Sequence, residues 1–345
     1  MTIRQGMAIL QKSRLRLISL SETTFFLTVF RFFVILREIR LFIDYSQKNY
    51  SMIVYNPKDW FKTISYLHNS KIFKRLLPYL IISVLVSWAL AYWELEYLKL
   101  SDRTWMKNIT TVHNLLGFVL SLLLVFRTNT AYDRWWEARK QWGALTNTSR
   151  TLAIKLNAFL APDDKVNRSF YKKSIALFAE TLFSYLRSDY TKFMLDENEH
   201  PELQDLDEKK HGPNQVAALI YKKTNKIYKE GILTGDQLIV LNKELTSLTD
   251  VTGACERIKN TPIPLGYSAF IKTFIVLYTA TLPIGLVFSM GYFVVAAVPF
   301  IFYVLATLEM IGESIEDPFG ADSDDLPIDK IAANIKKHCN EILLG

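Results

Sequence analysis

Three carboxylates cluster near the C-terminal end of this 345-residue chain. Asp322, Asp324 and Asp325 follow directly on the turn Pro318-Phe319-Gly320, and oxygen donors of this kind suit a hard cation. An EF-hand is excluded, because the residue eleven positions after Asp322 is Ala333 and not Glu. The plain alternative for such a run is a solvated turn with a helix cap. His68, His113, His200, His211 and His338 have no His-Glu-x-x-His or Cys-x-x-Cys company, and no glycine-rich phosphate loop follows a strand. The chain thus offers no enzymatic constellation. Cys255 and Cys339 are too few for a disulfide framework and read as inert, reduced thiols.

The remaining chemistry is passage through a bilayer. Leu76 to Trp93 and Ile109 to Phe126 are apolar runs free of Asp, Glu, Lys and Arg, with His113 the one ionisable group in the second. Each spans about 27 Å as a helix, close to the hydrocarbon thickness. Thr273 to Leu308 is twice as long and uncharged, with a turn signal at Ser289-Met290-Gly291, and so reads as two spans in a hairpin. The expectation is an all-α membrane protein with four transmembrane helices. Half of the residues are hydrophobic, yet 22% are charged, so an aqueous part must accompany the membrane part.

Basic residues set the orientation. Lys58, Lys62, Lys71, Lys74 and Arg75 precede the first span, and Arg127, Arg134, Arg139 and Lys140 follow the second. The connecting loop, Glu94 to Asn108, is balanced, so both termini and the central segment are expected in the cytoplasm. The net charge of +7 suggests nucleic acid only until it is located. Residues 1–51 hold eight basic against three acidic side chains, which removes the main support for that partner.

The second span carries the functional reading. Asn114, Leu115, Phe118, Val119 and Leu122 fall along one broad helical face; copies arranged about an axis would make an apolar constriction with Asn114 near its mouth. Packing against another span explains the same stripe equally well. His113 reads either as a site or as a hydrogen-bonded packing histidine. Beyond Phe126 the helix continues as Arg127-Thr-Asn-Thr-Ala-Tyr-Asp-Arg-Trp-Trp-Glu-Ala-Arg139, with Trp135, Trp136 and Trp142 as interface or subunit anchors. Arg127, Arg134 and Arg139 would concentrate anions, whereas Glu309, Glu313 and Glu316 would favour cations.

Six stretches follow. Residues 1–51 form an N-terminal extension, either an interfacial helix or, by preference, sequence outside the native fold, which then begins at Met52. Residues 52–75 are an amphipathic cytosolic entry, 76–126 hold membrane helices one and two, and 127–266 form a helical cytosolic domain. Residues 267–310 hold helices three and four, and 311–345 a cytosolic C-terminal segment. Within the central domain Asp196 to Gly212 is a polar loop, and Thr234 or Asp236 caps the helix that follows. Pro283-Ile-Gly285 is a point where a membrane helix could break, as a secondary transporter would require.

Three separated motifs resemble one family. Phe126-Arg-Thr-Asn-Thr-Ala-Tyr-Asp-Arg-Trp-Trp-Glu-Ala-Arg139, Gly253-Ala-Cys-Glu-Arg-Ile-Lys-Asn-Thr-Pro-Ile-Pro-Leu265 and Ile315-Glu-Asp-Pro-Phe-Gly-Ala-Asp322 are similar to the bestrophins in their bacterial form, over roughly residues 52–344. The resemblance implies a homopentameric ion channel of the inner (plasma) membrane, surrounded by lipid. Its permeant species are chloride or other anions, or monovalent cations, and its neck is lined by the second membrane helix. It also implies a cytosolic constriction, sought at Asp236, Gln237 and Leu238, and a calcium clasp at Ser314, Asp317, Asp322 and Asp325. Ala321 and Ser323 thin the acidic run of that clasp.

Overall fold

A computed structural model describes residues 71–98, 104–187, 207, 210–322 and 324–344. The readings made for residues 1–51, for the entry before Lys71 and for most of the polar loop lie outside the described residues. Among the described residues every regular element is helical, and three stretches are long and apolar enough to cross a membrane: Ile72–Tyr97, Ile109–Phe159 and Leu265–Glu316.

Helix α1, Lys71–Tyr92, takes the first apolar run and ends in a π-helical turn, Trp93–Leu98. Helix α2 runs unbroken from Thr104 to Phe159, 56 residues and about 84 Å. It carries no internal proline, so nothing stops it at the membrane boundary. It ends before Ala161-Pro-Asp-Asp164, residue types that favour a turn. There the Arg168 guanidinium donates to the carbonyls of Asn157, Leu160 and Ala161 at 2.9–3.0 Å, satisfying its last orphan acceptors. Asp164 in turn accepts from the Asn167 backbone and opens α3, Lys165–Arg187.

Two further caps fix the aqueous helices. His211 Nδ1 accepts from Asn214 N at the start of α4, Gly212–Lys229. Thr234, one of the two expected candidates, caps α5, Gly235–Asn260, in a reciprocal capping box with Gln237.

The long apolar region divides into α6, Leu265–Met290, and α7, Val294–Glu316. Gly291 stands between them at φ 54°, a left-handed conformation that glycine adopts without steric cost. The possible break at Pro283-Ile-Gly285 does not occur, and α6 passes through it continuously. One element escaped the sequence reading. The segment after the acidic turn folds as α8, Ile328–Leu344, and buries Ile328, Ala332, Ile335, Cys339 and Leu343 at helical spacing.

Helix α8 packs on α3 and α2, and its residues share one core with those of α2 to α5. Phe319 and Ile335 thus belong to the same cluster as Trp142, Phe178 and Leu248, so the stretches separated at 127–266 and 311–345 are packed together. In the apolar half, Leu76, Leu120, Leu124, Ile271, Ile275 and Phe302 bind α1, α2, α6 and α7 to one another. Trp142 was expected as an interface anchor but is fully buried at the centre of the aqueous core. Its bulk fills that core rather than meeting lipid or another subunit. Replacement of Trp142 by Ala is expected to cost about 3–5 kcal/mol, read as a lowered unfolding midpoint of the detergent-purified protein.

Candidate functional site

Along α2 two stripes run side by side. His113, Leu120, Leu124, Arg127, Ala131, Ala138, Trp142, Leu145 and Leu152 are buried, and many of them recur seven residues apart. This 3.5-residue period keeps one side of the helix inward over its whole length. The opposite side is uncovered. Leu115, Phe118 and Leu122 are 65, 68 and 44% exposed, Val119 is 39% exposed, and Asn114 is exposed on the flank of the stripe. The five expected neck residues therefore share the uncovered side. Val125 and Asn129 extend it toward the aqueous half.

Three contacts hold this helix against α6. Tyr278 Oη lies 2.6 Å from where a Cβ at Gly117 would stand, so the close approach depends on glycine. Thr110 Oγ1 donates to the Gly285 carbonyl at 3.1 Å. His113 Nδ1 meets the Ile109 carbonyl at 3.1 Å and Nε2 meets Thr281 Oγ1 at 3.1 Å. The Thr281 hydroxyl also donates to the Leu277 carbonyl at 2.9 Å, so both ring nitrogens of His113 are engaged by groups of the helix packing. His113 is a packing histidine.

At the membrane boundary the charges meet. Arg127 is 1% exposed; its Nη2 donates to Glu316 Oε2 at 2.6 Å, and its Nε faces Glu309 Oε2 at 3.7 Å. Glu316 Oε1 accepts from Ile263 N at 2.7 Å. Arg134 donates to the carbonyls of Glu316, Ile258 and Thr261, closing the C-terminal end of α5. Glu313 pairs with Lys272 at 3.0 Å. The expectation that Arg127 and Arg134 concentrate anions is thus corrected: both guanidiniums are turned inward onto carboxylates and carbonyls. Glu309 and Glu316 are likewise turned toward Arg127, and Glu316 also toward the Ile263 backbone.

Trp135 donates from Nε1 to the Asp324 carbonyl, and Trp136 is 47% exposed. Asp236 is exposed, whereas Gln237 is folded back into the capping box and Leu238 is half-buried beside α4. The protruding apolar residue of that end is Ile239, 73% exposed, which the sequence reading did not single out. Its signal was an apolar pair, Ile239-Val240, in the first turns of a helix otherwise rich in polar residues.

The acidic turn is internally bonded. Asp325 Oδ2 accepts from Asp322 N at 2.5 Å, Asp317 Oδ1 from Phe319 N at 3.4 Å, and Ser314 Oγ donates to the Ile311 carbonyl at 2.9 Å. Gly320 lies so close that a Cβ there would sit 2.6 Å from Asp325 Oδ2 and 3.3 Å from Asp317 Oδ2. Among the described residues no three His, Cys, Asp or Glu side chains gather to hold a metal. Burial, together with Asp322, Asp317 and Asp324 nearby, raises Asp325 to about 7. Burial also pushes Cys255 and Cys339 up to about 12, in keeping with inert thiols.

Residues 52–341 match the family described as bacterial/fungal bestrophin protein. A voltage-dependent anion channel-forming protein of Nostoc is 35% identical over 234 residues, covering 66% of this chain and 75% of its own length. One of Escherichia coli K12 is 30% identical over 289 residues, covering 83% and 92%. The fold resembles the crystal structure of a bacterial bestrophin homologue from Klebsiella pneumoniae, solved as a mutant. The TM-score is 0.69 at 25% identity, over 80% of this chain and all of that one. This chain belongs to the bacterial and fungal bestrophin family.

Two outcomes follow. Replacing Arg127 by Ala leaves Glu309 and Glu316 buried without their counter-ion and is expected to destabilise the fold by about 3–5 kcal/mol, measured by thermal unfolding. Asp325 holds its proton in the folded chain up to about pH 7, against an ordinary value of 3.8. Its stabilising contribution is complete below 3.8 and is lost as the pH rises through 7. Unfolding midpoints recorded across this window should therefore fall less steeply for Asp325→Asn than for the parent.

Proposed function

We propose that this chain is a passive ion channel and not an enzyme, working as a homopentamer with α2 from every copy around one axis. The observation that carries this reading is the uncovered apolar stripe of Leu115, Phe118 and Leu122 inside a membrane-length helix. A single subunit has no partner for that face, and the helix cannot enclose a path alone; cyclic copies give it both. The names of the relatives, anion channel-forming proteins, support the same class of function.

In this reading α1, the apolar half of α2, α6 and α7 make four crossings of the inner (plasma) membrane, surrounded by lipid. Both termini and the core of α2 to α5 and α8 lie in the cytoplasm, in accord with the basic residues that flank the first two spans. The stripe makes an apolar neck with Asn114 on its flank, and Ile239, next to Asp236 to Leu238, is the better candidate for a cytosolic constriction. Neutral walls admit small ions when wide enough or wetted and discriminate weakly between signs. The continuous α6 speaks against the transporter alternative, which would draw on a helix broken at its midplane.

Purified protein in planar bilayers should carry single-channel currents far above any transporter turnover. Phe118→Ala should raise the unitary conductance about twofold or more by easing dewetting at the neck. An unchanged conductance in both Phe118→Ala and Leu115→Ala would remove the stripe from the path. Recordings with and without a calcium chelator report on the clasp implied by the family.

A further inference from the structure

We propose that Asp133 sets the ion preference of the pathway, and that it favours cations. This inference rests on the channel reading above. Because α2 is unbroken from Thr104 to Phe159, the side that faces the axis at the neck can be followed by helical register into the aqueous half. Asp133 is eleven residues beyond Leu122, about 20° from it in projection and about 16 Å further along the helix. It is exposed, and no ion pair or hydrogen bond occupies it among the described residues.

The other charges nearby do not compete for that position. Arg127, between Leu122 and Asp133, is buried against Glu309 and Glu316, and Arg134 is bound to three carbonyls. Glu137 is paired with Arg257 at 2.5 Å. Arg139, three seven-residue repeats beyond Phe118, lies on the same side but stands about 9 Å beyond Asp133, more than one Debye length at physiological salt. Lys140 does share the stripe but stands about 10 Å beyond Asp133, more than one Debye length at physiological salt.

The first uncompensated charge an ion meets below the neck is therefore a carboxylate, repeated by symmetry into a ring. Such a ring raises the local concentration of cations and lowers that of anions. The sign is opposite to the one in the relatives' names, which makes the assignment sharply testable.

The full-length protein is reconstituted in planar bilayers, and its reversal potential is measured under a KCl gradient. The parent should reverse on the cation side. Asp133→Asn should lower the potassium-to-chloride permeability ratio by about threefold or more, and Asp133→Lys should carry it to the anion side. The parent's preference should also fade near 1 M salt, where the Debye length is about 3 Å. Lys140→Gln should shift the ratio less, and toward cations. An anion-selective parent, or an unchanged ratio in a conducting Asp133→Asn channel, overturns the inference while leaving the channel reading intact. If neither variant assembles, the parent's salt dependence decides: a ratio that does not fade with salt overturns it. Absence of any parental current overturns the channel reading and this inference with it.

Discussion

A guanidinium held out of water at the end of an apolar run is the constraint around which the rest is arranged. Arg127 lies two turns beyond Leu120, on the inward side of a helix whose opposite side is uncovered, so its charge has no route to solvent. It must meet carboxylates, and α7 supplies Glu309 and Glu316 two turns apart. Glu316 then reaches the Ile263 backbone, while Arg134, two turns further along α2, takes the last carbonyls of α5. Three segments that are distant in sequence are thereby fixed together. Isolated, such a buried pair adds little net stability, but losing one partner strands the others, which makes the arrangement specific rather than strong.

The same network decides what the surface can offer. The basic residues after Phe126 look from sequence like a positive collar, and the acidic residues of α7 like a negative one. Each set is the answer to the other. Once they are paired, the exposed charge along α2 is reduced to a few side chains, among them Asp133, Arg139 and Lys140. Counting charges in a stretch of sequence fails here because it assigns to solvent groups that the fold turns inward.

Much of the fold is legible because its physics is local. Uncharged runs of membrane length, the Gly291 break and the Thr234 cap each act within a few residues, and the three motifs carry the family. Other features required distant partners. Trp142 reads as an anchor because tryptophan suits interfaces, yet its place at the centre of the core is set by α5 and α8. The seven-residue buried period of α2 is masked between Ile109 and Phe126, where the uncovered side is just as apolar. Gln237 appears free until its capping bond to Thr234 is seen, and α8 hides behind the acidic turn although Ile328, Ala332 and Ile335 have helical spacing.

Rigidity along α2 also limits how such a pathway can change width. Helices α1, α6 and α7 each contain an internal proline, at 78, 283 and 299, whereas α2 has none over 56 residues. Sharp bends in helices arise at proline, at glycine and serine pairs or where the hydrogen-bond ladder is interrupted; between Leu115 and Asp133 α2 has no proline, and Ser121 donates to the Gly117 carbonyl at 2.8 Å. Its contacts with α6 at Gly117, His113 and Thr110 are close and specific, so the apolar half of α2 is tied to α6. In a pentamer a change in bore at Phe118 would then come from displacement of α2 as a whole. Arg127 and Arg134 would transmit that displacement directly to α7 and to the end of α5.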